Sequence, residues 1–144
     1  MPLITRDTQE GQEFAGKIRT VTLERINFFS GGFPRGPNWP AKNIHTDLEV
    51  AQKCGLQTRA ASGAMFEGYL TDLMIDIFGE DWLNYGTMSL TFIGIVDKDD
   101  TLIPKAVVKS RKLQSSEVEF TLDVWCENQN GNKVVVGTAR GVFS

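Results

Sequence analysis

The sequence contains one histidine, His45, and this side chain lies a short loop before the longest helical pattern of the chain. An unperturbed imidazole has a pKa of about 6.5 and is suited to proton transfer at neutral pH. The helical pattern opens on the small residues A-A-S-G-A at positions 60–64. Backbone N–H groups at a helix start have no partner in the helix and carry partial positive charge. His45 and Gly63 therefore predict proton transfer beside a site that stabilises a carbonyl oxygen as it gains negative charge.

Four further residues near this pair are candidate site residues. Asn43 can orient a water molecule or the imidazole, although asparagine is also a common turn residue. Glu67 lies one helical turn after Gly63. It is either a catalytic carboxylate, partly buried by its apolar neighbours, or an ordinary glutamate of the helix surface. Ser62 either hydrogen-bonds a substrate or caps the helix, and its residue type favours capping. Ala64 shares the predicted oxyanion site.

The chain around these candidates predicts two helices, and residues 24–29 suit a short helical turn. Apolar residues recur at intervals of three and four over residues 62–78, which predicts a long helix with one wide apolar face, ended by Gly79. Residues 46–53 predict a short helix with Thr46 and Glu49 as its capping box. The short helix would follow the histidine directly, so it would help to hold the imidazole in place.

After the long helix the pattern is that of β-strands. Residues 118–126 alternate between core and surface types, and Asn130-Gly131 is typical of a hairpin. One long helix together with such strands predicts an α+β fold in which an antiparallel sheet wraps around the helix. The other predicted strands are residues 17–23, 88–96, 102–108 and 134–142.

Residues 30–42 contain three glycines and three prolines, which exclude a regular helix or a central strand. A loop of this length in a small domain is usually functional or disordered. Phe33 and Trp39 within it favour a packed flap that shapes a substrate pocket.

The composition is that of one globular domain, residues 1–144, with a formal charge of -3. This charge and the lack of a Lys/Arg cluster argue against a nucleic-acid partner. Cys54 and Cys126 follow no metal-binding spacing, so we expect no metal or cofactor and two buried or inert thiols. No apolar stretch approaches the ~20 residues that span a bilayer, and the chain start lacks a signal-peptide pattern. We expect a cytoplasmic protein without a membrane partner.

Three stretches around His45 resemble a known family. F-S-G-G, N-I-H-T-D-L-E-V-A and A-S-G-A-M resemble the MaoC-like dehydratases, also called (R)-specific enoyl-CoA hydratases. The family pattern runs S-G-D-x-N-P-x-H-x5-A and continues with a small residue, glycine and methionine at the start of the central helix. Ala51 follows His45 at the family spacing, and Met65 lies near the family's methionine. The stretches M-S-L-T-F-I-G-I-V and G-N-K-V-V-V-G-T-A-R-G-V are similar to strands of the family.

One member of the family's catalytic pair is absent. The family has an aspartate five residues before its histidine, and that spacing lands on Pro40. If S-G-G is matched to the family's S-G-D, Gly32 takes the place of the aspartate and an insertion precedes Asn43. We expect Asn43, Glu67 or a polar group of the substrate to replace it. Asp47 is the nearest acid in sequence, and its expected place in the first turn of the short helix favours a structural role.

The resemblance implies a hot-dog fold, a homodimer and sites at the subunit interface. It implies a lyase that hydrates or dehydrates an acyl thioester carried on CoA or an acyl carrier protein. His45 would be the general acid and base, and N–H groups near Gly63 the oxyanion hole. A hot-dog thioesterase that uses Glu67 is the alternative enzyme, and a non-catalytic acyl-thioester-binding protein is the alternative of another class. Three flanking basic residues either contact CoA phosphates or remain solvated: Arg35, Lys42 and Arg59.

Overall fold

Four helices and six strands make up the fold, and the computed structural model describes all residues from 1 to 144. The helices are α1 (Leu23–Ser30), α2 (Leu48–Lys53), α3 (Gly63–Phe78) and α4 (Glu80–Tyr85). The strands are β1 (Glu13–Ala15), β2 (Arg19–Thr20), β3 (Thr87–Phe92), β4 (Thr101–Gln114), β5 (Glu117–Glu127) and β6 (Lys133–Phe143).

The strands form one antiparallel sheet in the order β1-β4-β5-β6-β3, and β2 also pairs with β4. The long hairpin of β4 and β5 runs from Ile103 opposite Glu127 to Gln114 opposite Glu117. Strand β3 pairs with β6 alone, so its other side is a free edge of the sheet. This edge strand ends close to the start of α3, as described below.

Helix α3 is the centre of the hydrophobic core and contacts β4, β5 and β6. The apolar face that the sequence predicted is buried, and β5 contributes alternate residues to the same core because successive strand residues point to opposite faces. The α+β prediction of a sheet around one long helix is therefore confirmed. The buried residues of these two elements are Met65, Phe66, Leu70, Leu73, Met74, Ile77 and Phe78 of α3 and Val118, Phe120, Leu122, Val124 and Cys126 of β5.

The first predicted strand is wrong over most of its length. Only Arg19 and Thr20 of residues 17–23 pair with β4. The chain enters α1 at Leu23 because the Thr22 side chain caps this helix, accepting a hydrogen bond from the backbone N of Arg25 at 3.2 Å. The capping preference of threonine overrides the alternating pattern here.

The capping box predicted for the short helix is also wrong. Asp47 is the N-cap of α2, and its Oδ1 accepts a hydrogen bond from Val50 N at 2.9 Å. The helix therefore begins later than predicted, at Leu48. Gly55 follows the helix with φ of 87°, the left-handed conformation typical of a glycine after a helix end.

Two predicted strands differ in length from the observed ones. Strand β3 ends at Phe92 rather than at residue 96, and β4 continues beyond residue 108 to Gln114. The second half of β4 is mostly exposed and does not alternate between buried and exposed residues, so its sequence carries no strand pattern. It is a strand because it pairs with β5. Helix α4 was not predicted.

None of the helices combines the length and the apolar character needed to cross a bilayer.

Candidate active site

The side chain of Asn43 organises the loop that carries His45. Asn43 Oδ1 accepts hydrogen bonds from the backbone N of His45 at 2.8 Å and of Thr46 at 3.2 Å. Its Nδ2 donates to Ser30 O at 2.8 Å. The buried Thr46 hydroxyl accepts from Asn43 N at 3.1 Å and donates to Ala41 O at 2.6 Å. Since its amide group is engaged with the backbone, Asn43 holds the histidine in place, and its direct action on water stays a prediction.

The imidazole of His45 is half-buried and hydrogen-bonded through one nitrogen. Its Nδ1 lies 2.5 Å from Ala60 O. A carbonyl oxygen can only accept a hydrogen bond, so Nδ1 carries the hydrogen and Nε2 of the neutral ring has a free lone pair. The backbone bond from Ala60 N to Ile44 O, at 3.3 Å, ties the same two segments together. The loop thus presents Nε2 as a proton acceptor.

The start of α3 lies immediately after the segment that binds the imidazole. The N–H groups of Gly63 and Ala64 make no hydrogen bond within the chain. Ser62 occupies the N-cap position, but its side chain makes no capping bond, so the predicted cap is wrong. Two unpaired donors and the positive end of a 16-residue helix can therefore bind an oxygen atom that carries negative charge.

Phe92, the last residue of β3, lies over this helix start, and sequence reasoning missed it. A Cβ atom placed on Gly63 would lie 2.7 to 3.0 Å from three atoms of the Phe92 ring. Only a glycine leaves room for the ring at this distance. No local pattern predicts the contact, because the pairing of β3 with β6 brings Phe92 to the helix.

The chain places no carboxylate beside His45. The imidazole forms no ion pair, and its one side-chain hydrogen bond is to a backbone carbonyl. Asp47 is engaged as the cap of α2. Asp97 accepts a hydrogen bond from the Thr58 hydroxyl at 2.5 Å, which anchors the segment before α3 to the turn after β3. The aspartate that is missing from the sequence pattern is therefore not replaced by another carboxylate of the folded chain.

Glu67 is exposed on α3, which agrees with the alternative of a surface glutamate and not with that of a partly buried carboxylate. Its carboxylate forms no hydrogen bond and no ion pair. The apolar neighbours in sequence point to the core, while Glu67 lies on the opposite face of the helix. Nothing in the folded chain joins Glu67 to His45.

The loop of residues 31–42 packs through one of its two aromatic residues. The Trp39 ring lies 4.9 Å from the Phe28 ring, centroid to centroid, and is tilted by 48°. Phe33 is 73% exposed, so the expectation that it packs in the flap is wrong. Trp39 therefore packs the loop onto Phe28, near the end of α1.

The three basic residues differ in their surroundings. Arg35 and Lys42 are exposed. Arg59 is half-buried, and its Nε is buried without a hydrogen-bond partner in the chain. Contact of any of the three with a phosphate stays a prediction.

The two thiols are not alike. Cys126 is buried in the core, and this burial raises the pKa of its thiol to about 12. Cys54 is exposed at the end of α2, so of the two expected alternatives, a buried or an inert thiol, burial does not apply to it.

Two clefts lie near the elements that carry the candidate residues. A cleft of about 560 Å³ lies between α1 and the first turn of α3. A second, of about 690 Å³, lies between this loop and the start of α2. The first is lined by Glu24, Arg25, Phe28, Phe29 and Met65, and the second by Asn38, Trp39, Pro40, Ala41, Lys42, Thr46 and Asp47.

No family model and no curated protein matches the chain. Solved structures share its fold along nearly its full length. A MaoC-like dehydratase from Rhodospirillum rubrum has a TM-score of 0.76 and 21% identity, covering 98% of this chain and 96% of that one. An (R)-hydratase from A. caviae, involved in PHA biosynthesis, has a TM-score of 0.68 and 17% identity, covering 96% and 98%. A chain of the ChsH1-ChsH2 complex from Mycobacterium tuberculosis has a TM-score of 0.71 and 14% identity, covering 95% and 99%.

These likenesses show that the chain has the hot-dog fold of the MaoC-like dehydratases and (R)-hydratases. The resemblance read from the sequence is confirmed at the level of the fold.

Proposed function

We propose that this protein is a hydratase or dehydratase of acyl thioesters carried on CoA or an acyl carrier protein. One observation carries the proposal: the His45 ring is bonded to the segment that leads directly into the open N-terminus of α3. A proton acceptor and two oxyanion donors are thereby held close to one another. The fold shared with dehydratases and hydratases supports the same reaction class.

The proposed step uses one base. The thioester oxygen of an enoyl substrate accepts hydrogen bonds from the N–H groups of Gly63 and Ala64. His45 Nε2 takes a proton from water while the water oxygen bonds to C3 of the substrate. The electrons of the C2–C3 double bond move toward the thioester oxygen as an enolate forms. The imidazolium then returns the proton to C2, and the reverse sequence is dehydration.

The same proposal accounts for the missing acid. In a one-base route the imidazole both removes and returns the proton, so no second titratable group is needed. The backbone bonds of Asn43 keep the ring in the required position. We expect the rate to fall short of that of an enzyme with two such groups, because water is then positioned by fewer partners.

A homodimer is part of the proposal. Strand β3 has a free edge, and the residues at its end and just beyond are exposed and apolar: Phe92, Ile93 and Ile95. Unpaired strand edges of this kind favour pairing with another chain. Analytical ultracentrifugation of the intact protein tests this part, and a monomer at the assay concentration would contradict it.

The main test is turnover of short and medium enoyl-CoA thioesters, followed by enoyl absorbance and by free thiol at the same time. We expect loss of enoyl absorbance without thiol release. His45→Gln keeps a similar volume but cannot take up the proton, and it should lower kcat/KM by about 10²–10⁴-fold. Circular dichroism and the melting temperature show whether the variant keeps its fold.

Other outcomes assign other functions. Thiol release that is lost in Glu67→Gln would indicate a thioesterase. Tight binding of acyl-CoA without turnover, unchanged in His45→Gln, would indicate a binding protein. Activity that survives in folded His45→Gln would contradict the role given to the imidazole.

A further inference from the structure

Helix α1 has two exposed phenylalanines, Phe28 and Phe29, that do not belong to the hydrophobic core. The buried residue of α1 is Ile26, which attaches the helix to the core. Phe28 and Phe29 are each 53% exposed. A contiguous exposed apolar patch often marks an interaction surface or a ligand-binding groove.

These two rings line the cleft of about 560 Å³ beside the start of α3. Met65 also lines the cleft, and it lies in the first turn of the helix whose N–H groups are open. The volume is within the range of small-ligand sites. Asn43 Nδ2 donates to Ser30 O at the end of α1, which ties this helix to the loop that carries His45. The cleft therefore lies beside the proposed reaction site.

The distribution of polar groups indicates what the cleft can bind. Its polar residues are Glu24 and Arg25, about one helical turn from Phe28 and Phe29. The Arg25 guanidinium already donates to Thr20 O at 2.9 Å. The part of the cleft nearest Phe28 and Phe29 therefore offers an occupant only apolar contacts.

The two walls differ in how firmly they are held. The Trp39 ring packs on Phe28, so this side chain is restrained on one side by the loop. Phe29 has no aromatic partner. Phe28 is thus the more restrained wall, and Phe29 is free to adjust to the occupant.

We propose that this cleft binds the acyl chain of the substrate, and that the preferred substrates have an apolar acyl chain of medium length. The proposal rests on the proposed function, since it places the thioester oxygen at the N–H groups of Gly63 and Ala64. From that position the chain beyond C3 passes Met65 and lies between the two phenylalanines. Each buried methylene group then favours binding by about two- to fourfold.

The test measures the binding of saturated acyl-CoA thioesters, which contain no double bond to hydrate. Calorimetric titration gives Kd for butyryl-CoA and octanoyl-CoA, with free CoA as reference. We expect octanoyl-CoA to bind at least about tenfold more tightly than butyryl-CoA. Phe29→Ala should reduce this ratio to about threefold or less, and Phe28→Ala should act in the same direction.

Phe33→Ala is the matched control, because it removes the same side chain from a nearby exposed position that does not line the cleft. It should leave the ratio unchanged. A ratio near one in the unmodified protein, or an equal fall in Phe33→Ala, would overturn the proposal. A changed oligomeric state in Phe29→Ala with an unchanged ratio would show that the cleft faces a second copy of the chain, and would overturn it too.

The design separates this proposal from the proposed function. A chain-length preference that depends on Phe29 without any hydration would support the cleft and contradict the hydratase. His45-dependent hydration with no chain-length preference would support the hydratase and contradict the role of the cleft.

Discussion

The rest of the chain hydrogen-bonds the C-terminal end of helix α3 but not the first N–H groups at its N-terminal end. At its C-terminal end, Gly79 N donates to Ile75 O at 2.7 Å. The N-terminal arm donates to the next two carbonyls, from Leu3 N to Asp76 O and from Ile4 N to Ile77 O, each at 3.0 Å. At its N-terminal end, no group of the chain meets the first N–H donors.

This difference suggests a structural role for the C-terminal end of α3 and, in the proposed function, a chemical role for its N-terminal end. A helix end that lies in the fold needs partners for its polar groups, because unpaired buried groups are costly. The C-terminal end, here called the closed end, has such hydrogen-bond partners, and they attach α3 to the N-terminal arm. The N-terminal, open end lacks such partners, and in the proposed function its free N–H donors bind the thioester oxygen. Substitutions at the closed end should therefore change stability, and those at the open end should change activity.

The largest expected effect is on stability at the closed end. Ile4 is 1% exposed, and its backbone caps a carbonyl of α3. Ile4→Ala should lower the free energy of unfolding by about 2–4 kcal/mol, because it leaves a cavity in the core. Urea denaturation measures this change. The activity per folded molecule should remain that of the unmodified protein, and a large loss of kcat/KM would mean that the two ends are coupled.

A smaller effect, on activity, is expected at the open end. Gly63→Ala forces the Phe92 ring or the helix start to move, since the new Cβ would lie 2.7 Å from the ring. We expect kcat/KM for an enoyl-CoA to fall by about tenfold or more, in proportion to the misplacement of the N–H donors.

The control is Gly68→Ala, on the same helix, where the new Cβ meets no atom within 4 Å. It should keep full activity and raise stability by about 0.5–1 kcal/mol, because alanine favours the helix more than glycine does. Equal activity in the two variants would show that the start of α3 takes no part in the reaction.

The smallest expected loss of stability is that of Gly79→Ala. Gly79 has a φ of 66°. A residue with a side chain is strained at this positive φ, so the substitution destabilises the folded state. We expect a loss of about 1–2 kcal/mol in stability and no change in kcat/KM. Thermal unfolding followed by circular dichroism measures the first, and the enoyl assay the second. A variant with lower activity at unchanged stability would reverse the assignment of the two ends.

Periodic parts of the chain could be predicted well. The apolar face of α3 and the alternation of β5 are properties of neighbouring residues, so the sequence shows them directly. Turn chemistry was less decisive. Asp47 rather than Thr46 caps α2, because the Thr46 hydroxyl is engaged with Asn43 and Ala41 in the loop before it.

The candidate site could be predicted only as a set of local pieces. The sequence by itself determined that one imidazole precedes a small-residue helix start, and that the family's aspartate is absent. It could not show that Ala60 O fixes the tautomer of His45, or that Phe92 lies over Gly63. Nor could it show that Phe28 and Phe29 line a cleft with Met65. Those contacts join residues distant in sequence, and only the packing of the sheet and helices decides which side chains meet.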